Sequence, residues 1–193
     1  MTYRVSAFAL VSLAMTGIAS AQIGQSVRAS FNTVAPAELG VVQFPSFTGG
    51  FQEVTAGQFN WTRDAGNPGT DVTVQSPFIG YCLEVTQQLA FNTVYDFTLA
   101  NLEDAPLSVV MGAAKADAIR ELWGRFWTPA FTNQDAAAFQ MAIWEIVYDG
   151  PFGANTGTGG LFIFSSFNPA TIVQANTWLA ALDGTGPRAT YLQ

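Results

Sequence analysis

Two short segments hold the residues whose types could do chemistry. One is Tyr81-Cys82-Leu83-Glu84, and the other runs Phe139-Gln140-Met141-Ala142-Ile143-Trp144-Glu145-Ile146. Cys82 is the only cysteine in 193 residues. It cannot pair within its own chain, so it is a buried free thiol, an intermolecular bridge or a residue with its own chemistry. Gln140 is a polar amide set among Phe139, Ile143 and Trp144, and positions 140, 143 and 144 share a helical face. A buried amide has to be hydrogen-bonded, so this glutamine also needs a partner. The chain has no histidine. That removes the usual general base, the Ser-His and Cys-His dyads and the commonest metal ligand. Glu84 and Glu145 flank the two segments. A carboxylate pair can run glycoside hydrolysis without histidine, given about 5–9 Å between the groups in an open cleft. Asp71, Asp96, Glu103 and Asp104 lack the spacing of an EF-hand loop, so no metal site is expected.

The elements that must position these residues fall into two halves. From Gln25 to about Thr98 the chain reads as β. Val27, Ala29, Phe31 and Thr33 alternate with their neighbours, Leu39–Phe47 is rich in strand formers, and Phe51–Trp61 resumes after the Gly49-Gly50 turn signal. Arg63–Thr70 is a turn-rich loop. Val72–Gln75, Ile79–Val85 and Val94–Leu99 read as further strands, and a break falls at Asn101–Pro106. Helical spacing then takes over. Ala113, Ala116, Ile119, Leu122, Trp123 and Phe126 line one face, and Trp127-Thr128-Pro129 ends that helix. Asn133 is the expected N-cap of a second helix with Phe139, Ile143, Ile146 and Val147 as its core face, and Glu145 reads as a solvated or capping residue. Asp149-Gly150-Pro151 stops it. Leu161–Phe164 is a short strand candidate. Asn168-Pro169 opens a third helix, lined by Ile172, Ala175, Trp178, Leu179 and Leu182 and closed by Gly184. Strands first and helices after make an α+β domain rather than an alternating parallel fold.

The N-terminus reads as a leader. Arg4 precedes an apolar run from Val5 to Ile18, and Ala19-Ser20-Ala21 is a small-x-small end. The run is short of the ~20 apolar residues of a membrane span. Cleavage is expected between Ala21 and Gln22, leaving residues 22–193 as a single exported domain with no transmembrane segment, β-rich to about 106 and helix-rich after. The chain stops at Leu192-Gln193, just after what reads as the start of another strand, as a fragment would or a domain whose last strand is short. Seven basic residues stand against 14 acidic ones, for a formal net charge of −7. With Lys115 the sole lysine there is no basic patch, which argues against nucleic acid and anionic lipid as partners.

Tyr81-Cys82-Leu83-Glu84 followed by a helical Gln140-x-Ala142-Ile143-Trp144 resembles the thioester domain family of bacterial surface proteins. A similar pairing occurs in exported proteins of the Pro-Glu-Pro C-terminal sorting type, whose tail this chain does not show. The resemblance spans Phe78 to Gly150. It implies an antiparallel β-sandwich or barrel joined to a small helical subdomain. It also implies that the Cys82 thiol has condensed with the Gln140 side-chain amide, releasing ammonia. The family has threonine immediately before the glutamine, where this chain has Phe139. Such an internal thioester is an activated acyl group, open to attack by an amine or hydroxyl of a surface or matrix protein or polysaccharide. It needs no cofactor. It must be kept from water until the partner docks, and Tyr81, Phe139, Ile143 and Trp144 are candidates for that wall. Glu84 and Glu145 are candidate proton shuttles.

Three functions are therefore open. One is a covalent adhesion domain working by single-turnover acyl transfer, which is not an enzyme in the turnover sense. Another is a structural extracellular protein whose Cys82 is an inert core thiol. The third is a secreted hydrolase using Glu84 and Glu145.

Overall fold

A computed structural model describes residues 10–12, 23–43, 50–64, 74, 76–85, 87–105, 107, 109–150 and 163–189. Among them six strands form one antiparallel sheet. They are β1 (Leu10–Ser12), β2 (Ser26–Gln43), β3 (Phe51–Arg63), β4 (Phe78–Cys82), β5 (Thr93–Thr98) and β6 (Ile163–Ser165). The order across the sheet is β1-β4-β3-β2-β5, with β6 paired to the far end of β2. Three helices follow the first five strands: α1 (Gly112–Phe126), α2 (Asn133–Tyr148) and α3 (Pro169–Ala180). The α+β class expected from the order of periodicities is the class observed.

β2 is one strand of 18 residues, where the sequence reads as two. Pro36 looks like a break, since proline cannot donate to a ladder. The chain absorbs it in a bulge: the β2–β3 register shifts between Val34 and Ala37. Asn60 on β3 turns its side-chain amide to the Ala35 carbonyl at 2.7 Å, meeting an acceptor that the irregular ladder leaves over. Gly57 sits opposite. A Cβ there would lie 2.4 Å from the Pro36 oxygen, so the crossing needs glycine. β4 ends at Cys82, three residues before the expected end at Val85. Most of the expected strand Val72–Gln75 lies outside the described residues, as do parts of Arg63–Thr70 and of Leu161–Phe164; the last yields β6.

α2 is the centre of the core. It packs on β2, β3 and β4 below and on α1 and α3 beside it. Every residue from Ala136 to Tyr148 is buried, so the helix has no solvated face and the single core stripe expected from periodicity is corrected. Its N-cap is also one residue earlier than expected. The Thr132 hydroxyl accepts from the Asp135 amide, and the Asp135 carboxylate accepts from the Thr132 amide, a reciprocal cap set by three-residue spacing. Asn133 serves the sheet instead, accepting from the Ala37 amide at 3.3 Å. α3 starts as expected, with the Asn168 side chain accepting from the Ala170 amide ahead of Pro169. Its Thr171 hydroxyl donates to Glu38 of β2 at 2.8 Å.

The segment after α3 is tied to α1 by a buried carboxylate. Glu121 accepts from Arg125 Nε at 2.8 Å and from the backbone amides of Gly184 at 2.8 Å and Gly186 at 3.1 Å. Gly124 lets the segment approach, since a Cβ there would meet the Pro187 carbonyl at 2.3 Å. Replacing Glu121 by alanine strips two half-buried amides of their acceptor and leaves Arg125 only Asp183. The expected cost is about 3 kcal/mol, read by urea unfolding. Fast hydrogen exchange at Gly184 and Gly186 should accompany it, whereas retained protection there would contradict the clamp.

Candidate functional site

The site forms where β3 and β4 part. Their pairing runs Trp61 to Phe78, Asn60 to Ile79 and Phe59 to Gly80, then stops. Beyond that point β3 keeps only its pairing with β2 on the other side, with Gly57 opposite Ala37, and α2 fills the gap. Gln140 takes the position of the missing strand residue. The Cys82 amide donates to Gln140 Oε1 at 2.9 Å, and Gln140 Nε2 donates to the Cys82 carbonyl at 2.7 Å. A side-chain amide carries the same donor and acceptor as a peptide group, so it closes the ladder for one more residue. The polar residue that looked misplaced on an apolar helix is therefore satisfied by the backbone of the lone cysteine, 58 residues away in sequence.

Both partners are shielded from solvent. Cys82 is 7% exposed and Gln140 is 0% exposed. The thiol donates to the Glu84 carbonyl at 3.1 Å. Burial pushes it up to about 12, and the nearby charge of Glu84 adds to the rise while that carbonyl opposes it. At neutral pH a free Cys82 thiol thus keeps its proton.

The expected wall residues are all buried: Tyr81, Phe139, Ile143 and Trp144. Phe139 is the hub, with ring centroids 4.9 Å from Tyr81, 5.3 Å from Trp123, 5.4 Å from Phe131 and 6.1 Å from Trp178. A threonine at 139 would forgo this cluster, which accounts physically for the large side chain ahead of Gln140. Tyr81 also meets Trp123 edge-on at 5.5 Å, and burial raises its phenol above the ordinary value. Trp61 is buried in the sheet's aromatic layer against Phe31 and Phe97.

The two glutamates part company. Glu84 belongs to the site: it is 4% exposed, and its Oε1 accepts from the Tyr148 hydroxyl at 2.6 Å. Tyr148 lies two helical turns past Gln140 on the same face, a spacing visible in the sequence once that face is known. Glu145 is not the solvated residue its sequence position led us to expect; it is 0% exposed. Its carboxyl is pushed up to about 10, first by burial and then by the nearby carboxyl of Asp149, one turn on. Asp149, read from sequence only as a helix stop, is thus its neighbouring acid. With both glutamates buried, neither faces the open cleft that glycoside hydrolysis needs. Among the described residues no cluster of three or more His, Cys, Asp or Glu could hold a metal ion, and no helix is long and apolar enough to cross a membrane.

The arrangement holds the Gln140 side-chain amide against the Cys82 backbone in a setting closed to solvent. Comparison with protein-family models, curated proteins and solved structures gives no match for this chain.

Proposed function

We propose that this is an exported surface or matrix domain in which Cys82 and Gln140 form an internal thioester. A nucleophile on a partner protein or polysaccharide then opens it and becomes covalently attached. The observation that carries the reading is the two-way hydrogen bond between the Gln140 amide and the Cys82 backbone. In the forming step the thiol sulfur bonds to Cδ of Gln140. The Cδ–Nε2 bond breaks, and Nε2 leaves as ammonia with the thiol proton. The Cys82 amide already points at Oε1, where negative charge gathers as the sulfur adds, so it acts as an oxyanion donor. Once ammonia has left, that same N–H polarises the thioester carbonyl for the second attack. A partner amine then forms an amide to the same carbon, the C–S bond breaks, and Cys82 recovers its thiol. The chemistry turns over once. The charge balance, the leader-like N-terminus and the resemblance of the two motifs support an extracellular setting.

A second reading has its own support. The Cys82 thiol is already satisfied by the Glu84 carbonyl, and burial holds it protonated. On that reading the protein is a structural extracellular domain with an inert core thiol. Alkylation separates the two. A thioester leaves no thiol to label in the folded protein, and none in denaturant until hydroxylamine cleaves it. An inert core thiol labels fully as soon as the protein unfolds.

A further inference from the structure

We propose that the outer edge of β4 is a docking surface for an extended lysine-bearing segment of the partner, added as a strand in a register that delivers the amine to Cys82. The proposal rests on the leader reading, and its covalent half rests on the thioester reading. β4 has β3 on one side and β1 on the other. β1 is Leu10–Ser12, inside the apolar run expected to leave on processing. Its pairing is antiparallel, with Leu10 opposite Cys82, Val11 opposite Tyr81 and Ser12 opposite Gly80. Among the described residues, removing the leader bares the edge against which Leu10–Ser12 is paired as an extended strand.

The side to which each backbone group points follows from the ladder. A strand residue's N–H and C=O face the same way, and successive residues alternate. Those of Cys82 go to Gln140. Those of Tyr81 and Ile79 therefore face the β1 side, as four unpaired groups once β1 is gone. An exposed edge of this kind templates strand addition. Cys82 would stand in a non-hydrogen-bonded pair with the residue opposite it. In such pairs the Cα atoms are about 4.5 Å apart and the two side chains share a face. Gly80, the next residue on that face of β4, has no side chain to obstruct it. A lysine opposite Cys82 thus has its amine beside the acyl carbon, whereas one residue along it projects from the other face.

The test is amide hydrogen exchange on the processed protein with an arginine-tailed synthetic peptide of residues 8–14. Exchange at Ile79 and Tyr81 is expected to slow on the order of tenfold or more as the peptide saturates the edge, with Gly80, which faces β3, unchanged. A peptide carrying Val11→Pro lacks the N–H that meets Tyr81 and is expected to give no protection. Unchanged exchange at Ile79 and Tyr81 overturns the proposal. So does protection already present without peptide, which would mean that the chain or a second copy closes the edge. Where methylamine opens the thioester, a peptide with Leu10→Lys should couple to Gln140 and one with Val11→Lys should not. Equal coupling refutes the register. If methylamine does not add, the thioester reading fails, and the docking edge stands or falls on exchange alone.

Discussion

Replacing Gln140 by alanine is expected to destabilise the folded protein by about 3–5 kcal/mol. Before ammonia leaves, the Cys82 amide and carbonyl both bond to this side chain in a buried setting. Losing it leaves two backbone groups unsatisfied at roughly 1–3 kcal/mol each. It also opens a hole beside a helix that is buried on every side. Urea unfolding gives the value, through a lower midpoint at unchanged slope. Gln140→Glu is the informative companion. A protonated glutamic acid can still accept from the Cys82 amide and donate to its carbonyl, so its cost should be smaller. It has no ammonia to release, so its mass should match its sequence. A loss below about 1 kcal/mol for the alanine variant would mean that the amide does not close the β4 ladder.

The second large effect concerns pH. The Glu145 carboxyl is pushed from an ordinary 4.5 up to about 10. Below pH 4.5 both the folded and the unfolded chain hold this proton, and its contribution to stability is fully present. Between 4.5 and 10 the unfolded chain gives the proton up while the folded chain keeps it, so stability falls as pH rises, levelling off above 10. At 1.36 kcal/mol per unit over the 2.5 units between 4.5 and 7, the loss accumulated by pH 7 is about 3 kcal/mol. Glu145→Gln cannot ionise and keeps the size and shape of the side chain. It is expected to flatten the stability curve and to exceed the parent by about 3 kcal/mol at pH 7. Parallel curves for parent and variant from pH 5 to pH 9 would show that Glu145 ionises normally.

These two residues also mark where sequence reading stopped. A periodicity argument finds a helix by its apolar stripe and assigns polar residues to the wet side. That works for α1, whose expected end at Trp127 is where it ends, and for α3, whose Asn168-Pro169 start is local chemistry. It fails for α2, because a helix covered on all sides buries its polar residues too. Glu145 was therefore read as solvated, and Asp149 only as a stop. Gln140 was noticed because three large apolar neighbours made it anomalous, and Cys82 because it is alone. What joined them was the pattern of the two motifs. The hydrogen bonds between them depend on β3 leaving β4 after Gly80, which no local signal announces. Tyr148 was missed for the same reason: its partner Glu84 lies 64 residues away. The β2 bulge was hidden by a proline that ordinarily ends a strand, and here an asparagine and a glycine on the neighbouring strand accommodate it.

The most direct test of the account is the intact mass of the purified, processed protein before and after methylamine. The account predicts a mass one ammonia below that calculated from the processed sequence, then a gain of one methylamine located at Gln140, with Cys82 becoming open to alkylation. A mass equal to the calculated one, unchanged by methylamine and with Cys82 labelled only on unfolding, would contradict it and leave Gln140 as a structural closure of the sheet around an inert thiol.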